Sequence, residues 1–172
     1  NISGAHFNPF VSLAMFLRKK INGKLLIIYI PAQILGCLIG VMLANVFFEH
    51  DILELSTKNR DGFHIFLSEI IATFGLIFII FATQKDGKIT IAASVATYIM
   101  AGYWFTSSTS FANPAVTIAR TFTDSFTGIN YLNTPTYILA EFLGALIAVS
   151  YTHLRAHETR EDSGCRLLLE KK

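Results

Sequence analysis

Two Asn-Pro pairs, Asn8-Pro9 and Asn113-Pro114, are the residues of this chain best placed to do chemistry. Asn is a favoured N-cap, because its side-chain oxygen accepts the first unpaired N–H groups of a helix. Pro suits the first helical turn, where its missing N–H would have no partner anyway. Each pair therefore predicts a helix that starts with an Asn amide at its tip. The apolar stretches that follow, Val11 to Phe16 and Val116 to Phe122, are too short to cross a hydrocarbon core of ~30 Å. A short helix of this kind fits a half-helix that dips to mid-membrane, where irregular backbone is tolerated only along a cavity. Its N-terminus carries about half a positive charge. Two such tips facing each other would oppose cations and protons, while the Asn amides could donate to a neutral permeant.

The elements that must hold these tips are read from charge and hydropathy. Hydrophobic residues make up 52% of the chain, charged ones 15%, and the mean hydropathy is +0.50; soluble domains carry about a quarter charged residues. Leu25 to Phe48 is uncharged, Ile65 to Thr83 holds only Glu69, and Ile89 to Phe105 is again uncharged. These three runs are long enough to span; a fourth, Tyr137 to about Val149, is too short as it stands. Arg18, Lys19, Lys20, Lys24, Lys85 and Lys88 fall on one side of the spans, against Lys58, Arg60 and Arg120 on the other. The positive-inside rule makes the first side cytoplasmic.

The organising feature is a repeat. Asn8-Pro-Phe-Val-Ser-Leu-Ala14 matches Asn113-Pro-Ala-Val-Thr-Ile-Ala119 at an offset of 105. Tyr29-Ile-Pro-Ala-Gln-Ile-Leu-Gly-Cys-Leu-Ile-Gly40 then matches Tyr137-Ile-Leu-Ala-Glu-Phe-Leu-Gly-Ala-Leu-Ile-Ala148 at 108, with seven of twelve positions identical. The second unit reads span, span, Asn-Pro segment, span; the first lacks its opening pair, so we expect two helices before Asn1. Three spans per unit is an odd number, so the units must lie in opposite orientations, the inverted repeat of channels and transporters. The expected fold is an all-α membrane protein. Its channel unit, residues 1–150, comprises half-helix 8–18, helices at about 25–48, 65–83 and 89–107, half-helix 113–122 and helix 136–150.

Ser3-Gly-Ala-His-Phe-Asn-Pro9 and Thr109-Ser-Phe-Ala-Asn-Pro-Ala-Val116 resemble the two signature loops of the aquaporin (major intrinsic protein) family. Tyr29-Ile-Pro-Ala-Gln-Ile-Leu-Gly36 resembles its third helix and Ser68-Glu69 its fourth. The resemblance covers about residues 1–149. It implies six helices and two half-helices around a pore for water and small neutral solutes, in a homotetramer within the lipid bilayer of the cell membrane. The family motif is intact at Asn113, Pro114 and Ala115, but in the first copy, Asn8, Pro9 and Phe10, a ring replaces Ala. Phe10 either narrows the junction or tucks into the bundle; the sequence leaves both open. Where water-selective members carry Arg, three residues after the second Asn, this chain has Val116. By the same alignment the other filter positions fall on Ala101 and Ser110, both small, and Thr117 stands where glycerol-type members carry Asp. A remaining filter residue would come from the absent second helix. The pattern favours a loose filter, open to glycerol or neutral metalloid acids as well as water.

Other residues bear on rival functions. Glu69, an acid inside a span, suggests function by default; the resemblance implies a buried acceptor for loop N–H groups, with Glu141, aligned to Gln33, in a similar part. An ion-coupled transporter would instead need Glu69 free to change protonation. Arg120 shares a face with Val116; pairing with Asp124 is the favoured expectation, charge in the outer vestibule the other. His6 is placed at the cytoplasmic mouth or as a loop cap. Gly36 and Gly40 read as a close helix-packing motif. No phosphate loop, nucleophile elbow, paired-carboxylate site or His-Glu-x-x-His motif occurs, so neither an enzyme nor a cofactor or metal is expected, and His153 with His157 reads as chance spacing. Cys37 reads as a small core residue and Cys165 as part of a polar tail, with no disulfide framework. No basic groove alternates with aromatics, which argues against nucleic acid. Nine of the 26 charges fall from Tyr151 onward, where the repeat breaks off; we expect residues 151–172 to be a non-native tail.

Overall fold

The structure, a computed structural model, describes the backbone of residues 3–169 and the side chains of residues 3–154. The expectations attached to Asn1 and to the side chains of His157 and Cys165 lie outside the described residues. Every regular element among those described is helical: α1 Pro9–Leu17, α2 Gly23–Phe47, α3 Phe63–Ala82, α4 Lys88–Phe105, α5 Pro114–Ala119 and α6 Thr134–Leu169, with a 3₁₀ turn Arg120–Phe122 after α5. The two shortest α-helices are the Asn-Pro segments. The chain is that of a membrane protein.

Helices α2, α3 and α6 (the last over Thr134–Leu154) are long and apolar enough to cross a bilayer. The reading of the sequence is revised at one of them, α6. The Ile89–Phe105 run forms α4, 18 residues that begin at Lys88; Ala, Ser, Thr and Gly make up eight of them, so it is less strongly apolar than α2 and α3. The fourth run, judged too short, is long enough because α6 starts at Thr134 and does not stop near 150.

The broadest helix contact is α3 against α6. It is close because Gly144 has no side chain: a Cβ there would run into the carbonyl of Ile70 and stand 3.1 Å from Thr73 Cβ. Ala72, Leu76 and Ile77 of α3 pack with Ala145 and Ala148 of α6, and Val11 and Ala14 of α1 complete this core. Both half-helices are gripped by the same two long helices, α1 by α2 and α6, and α5 by α2 and α6. A helix of six or nine residues is too short to hold itself together in isolation; this grip and the Asn caps supply what length does not.

Gly36 and Gly40 do not serve as a packing motif inside this chain. A Cβ at either would meet nothing within 4 Å, since that face of α2 turns outward. Cys37 is half-buried on α2 and free, rather than in the core.

The segment between α2 and α3 folds back over the end of α5. Ser56 N–H donates to the Thr121 carbonyl (2.9 Å) and Asn45 Nδ2 to the Phe122 carbonyl (3.0 Å). Asp124 does not pair with Arg120 as expected; its Oδ1 accepts from Thr57 N–H at 2.8 Å, and Ser56 and Thr57 hydroxyls donate to the same carboxylate. The Thr57 backbone bond, first among these, holds the Asp124 carboxyl below its ordinary value. A depressed folded value means the contribution is complete above the unfolded Asp value and is lost as pH falls through the lower, folded one. Limited proteolysis of the 49–62 segment should therefore show protection persisting through the pH at which a free Asp protonates and failing only below it. In Asp124→Asn this acid-range transition should vanish.

Candidate functional site

The Asn caps form as the sequence requires. Asn8 Oδ1 accepts from Phe10 N–H (2.9 Å) and Val11 N–H (3.4 Å); Asn113 Oδ1 accepts from Ala115 N–H (3.1 Å). With each oxygen committed to its own helix, each amide nitrogen points away from it and crosses to the other loop. Asn8 Nδ2 donates to the Ala112 carbonyl at 2.7 Å, and Asn113 Nδ2 donates to the Phe7 carbonyl at 2.9 Å. The acceptor in each case is the residue just before the opposite Asn. The two half-helices thus meet tip to tip, closed by a reciprocal pair of hydrogen bonds over 104 and 106 residues of chain.

The loops leading into the caps repeat each other too. Gly4, Ala5 and Phe7 have positive φ (75°, 53° and 51°), and so do Thr109, Ser110 and Ala112 (63°, 48° and 48°), at the same offset of 105. Five of the six are not glycine, and left-handed backbone at such residues costs on the order of 1 kcal/mol or more apiece. The surroundings hold this path in place. Tyr29 Oη donates to the Ser3 carbonyl and Tyr137 Oη to the Ser108 carbonyl. Gln33 Nε2 donates to Ser12 Oγ (2.9 Å), and in the second copy Thr117 Oγ1 donates to Glu141 Oε1 (2.6 Å), which also accepts from Asn113 N–H (3.1 Å). Glu69, with 0% of its surface exposed, accepts from Phe111 N–H (2.9 Å) and Ala112 N–H (2.8 Å) through its two oxygens.

A cavity of about 790 Å³ lies along these loops. Its lining joins the loop stretches Gly4–Asn8 and Ser110–Asn113, with their backbone polar groups, to the apolar Leu76 and Ile80 of α3 and Val95 and Ile99 of α4, and Gln84, Lys88, Tyr98 and Tyr103 add polar side chains. Asn8, Asn113, Ser110, Val116, His6 and Arg120 all line it. His6 Nδ1 stands 3.1 Å from Ser12 Oγ, and its ring meets Tyr29 edge-on at 5.5 Å.

Other expected site residues lie elsewhere. Pro9, Pro114 and Ala115 are buried within the half-helix packing and serve the caps. The Phe10 ring packs against Phe142 of α6, centroids 5.8 Å apart, and not at the junction. Thr117 is buried on Glu141, away from the cavity. Ala101 is on the outer face of α4. Helical spacing explains it: Val95, Ile99 and Tyr103 follow one another at intervals of four along the cavity face, and Ala101 is half a turn off. At this level α4 contributes Tyr103 and, behind Ser110, Gly102, where a Cβ would stand 2.6 Å from Ser110 Oγ. Counting back from the Asn missed both; the i, i+4 pattern from Val95 carries the signal.

Two arginines gather at the second loop. The Arg120 guanidinium lies over the Phe111 ring at 4.2 Å and that of Arg60 at 5.4 Å. Arg60 is spent on backbone, with Nε donating to the Gly128 carbonyl (2.8 Å) and an Nη to that of Phe126 (2.7 Å). Its only mark in the sequence is a charge in a loop.

Comparison with known proteins agrees with this geometry. The family model "Major intrinsic protein" matches residues 1–105. Aquaglyceroporin AqpS of Rhizobium meliloti (strain 1021) is 43% identical over 149 residues, covering 87% of this chain and 64% of that protein. Probable aquaporin TIP3-2 of Arabidopsis thaliana is 29% identical (90% of this chain, 60% of the relative), and Aquaporin-4 of Rattus norvegicus 31% identical (86% and 48%). The chain thus spans between about half and two thirds of the length of these curated relatives. With paired Asn-Pro half-helices, an internal inverted repeat and a matching family model, this chain belongs to the major intrinsic protein family.

Proposed function

We propose that this protein is a passive, multi-pass channel of the cell membrane that carries water and small uncharged solutes, three-carbon polyols among them, as a homotetramer. The observation that carries the reading is the junction: two Asn-capped half-helix tips, cross-linked through their own amides, beside a cavity that joins loop backbone to apolar side chains. A permeant can exchange its hydration for the amides and the loop backbone along one side, while Leu76, Ile80, Val95 and Ile99 offer it nothing to bind. One N–H of each Asn amide is spent across the junction, which leaves the other for an occupant. The half-helix dipoles disfavour cations at the same point.

The preference for polyols rests on Val116 and Ser110. A Val wall and a small hydroxyl leave a wide passage where a guanidinium would narrow it. The similarity to a protein named an aquaglyceroporin supports this. The ion-coupled alternative is disfavoured because both oxygens of Glu69 hold backbone N–H groups. Stopped-flow swelling of proteoliposomes in glycerol tests the reading: glycerol should enter with water. Val116→Arg should cut glycerol permeability by about tenfold or more while lowering water permeability only a few-fold, because the fork fills the space the larger solute needs. A protein that already rejects glycerol would overturn the polyol assignment.

A further inference from the structure

Position 116, beside the outer part of the cavity, holds Val, so the wall there has no fixed charge. One helical turn further along, Arg120 lines the same cavity. Its guanidinium carbon lies over the Phe111 ring, 4.2 Å from the centroid, where cation–π attraction holds the head group. Phe111 in turn cannot move freely, because its N–H is bonded to buried Glu69 and its ring packs on Tyr137 at 5.1 Å. Tyr103 of α4 comes within interaction range of Arg120 from across the cavity.

The contrast with Arg60 separates the two arginines. Arg60 touches the same ring, but its fork is committed to the Gly128 and Phe126 carbonyls, which makes it a staple of the loop. Among the described residues Arg120 donates to no backbone carbonyl, and a guanidinium has five N–H donors. A cation with donors to spare, held by an aromatic ring and standing in a cavity wall, can do two things there: repel cations and orient hydroxyls.

We infer that Arg120, held by Phe111 and facing Tyr103, is the selectivity cation of this channel, set one helical turn outward from Val116. The assignment rests on the channel reading above. Set further out, the charge excludes cations without narrowing the passage beside Val116, which reconciles a wide filter with a tight one for ions. The Tyr103 hydroxyl supplies a second polar group on the facing wall.

The test uses the protein in proteoliposomes at matched insertion, with water and glycerol swelling read by stopped flow and sodium and proton leak read by entrapped dyes. Arg120→Gln should raise both leaks about tenfold, since a unit charge is removed from a partly desolvated wall. Water swelling faster than that of empty liposomes is the control that the variant still forms a conducting pore, since the Asn junction is untouched. Arg120→Lys should keep the leak low while altering the glycerol-to-water ratio, since it preserves the charge and loses the fork. Arg placed at 116 in the Arg120→Gln background should restore exclusion. If Arg120→Gln inserts poorly, Arg120→Met is read by the same criteria. Unchanged leak in a neutral variant that conducts water overturns the assignment. So does equal leak in Arg120→Lys and Arg120→Gln, which would make Arg120 only a clamp on Phe111. An unsubstituted protein that swells no faster than empty liposomes overturns the channel reading itself, and this inference with it.

Discussion

Replacing Asn8 or Asn113 with Leu is expected to lower osmotic water permeability by more than about tenfold at equal inserted protein. Each substitution removes two things at once. The Oδ1 cap of a half-helix is lost, at a cost of ~1 kcal/mol for a helix with little length to spare. The Nδ2 donor is lost as well, which strands the Ala112 or the Phe7 carbonyl and puts an apolar branch where a permeant needs a donor. The Ala112 carbonyl, on a buried residue, is orphaned at about 1–3 kcal/mol, whereas Phe7 is exposed and its carbonyl can turn to water. Asn8 is 3% exposed and Asn113 less deeply buried, so Asn8→Leu should also be the less stable of the two. Asn8→Asp separates the effects. A carboxylate still caps α1, and would even favour its N-terminus, but it cannot donate to Ala112 and it places a negative charge at the junction. Retained folding with collapsed water flux is the expected result for Asn8→Asp. Normal swelling in either Leu variant would remove the junction from the mechanism.

The second large effect is on the fold that carries the junction. In Glu69→Ala the N–H groups of Phe111 and Ala112 lose both acceptors inside a packed bundle, at about 1–3 kcal/mol each. Those bonds hold the stretch in which Thr109, Ser110 and Ala112 take left-handed backbone. Without them the strained path has less to oppose its relaxation. We expect the unfolding midpoint in detergent, followed by fluorescence-detected size exclusion, to fall by roughly 5 °C or more. Glu69→Gln keeps one acceptor oxygen but turns an NH₂ toward a backbone N–H, so its midpoint should lie between those of Glu69→Ala and the unsubstituted protein. Solute uptake by Glu69→Gln should show no dependence on a proton gradient. A Glu69→Ala protein as stable as its parent would mean that the loop is held by its other contacts alone.

The pseudo-symmetry of the site explains why so few residues build it. Ser12 and Thr117, each four positions after an Asn, meet Gln33 and Glu141, each four positions after a Tyr that binds a loop carbonyl. One hydrogen-bonding scheme is used twice, with the amide of the first copy replaced by a carboxylate in the second. The roles of donor and acceptor reverse accordingly: Gln33 donates a hydrogen bond to Ser12, whereas Thr117 donates one to Glu141.

What the sequence determined by itself was everything governed by local or periodic rules. Asn followed by Pro dictates a helix start, and two such starts at one offset, with the Tyr-Ile blocks behind them, dictate a duplicated half-helix design. The all-α membrane class follows from charge-free runs; the acceptor roles of Glu69 and Glu141 were legible only through the family resemblance, since an acid inside a span by itself points as readily to proton transfer. Tertiary structure decided what depends on direction. Whether the ring of Phe10 entered the junction or the bundle turned on room beside Phe142. Whether Arg120 reached Asp124 or the cavity turned on Ser56 and Thr57 reaching Asp124 from a segment nearly seventy residues away. Which residue of α4 faces Ser110 turned on the rotation of a helix about its axis, and an offset counted along the chain cannot register that rotation. One residue's shift moves a side chain by about 100°, so Ala101 stands on the outer face of α4 while Gly102 backs Ser110 and Tyr103 lines the cavity. Spacing along a chain specifies elements and their repeats; the azimuth of each element, and so the wall of the cavity, is set by what packs behind it.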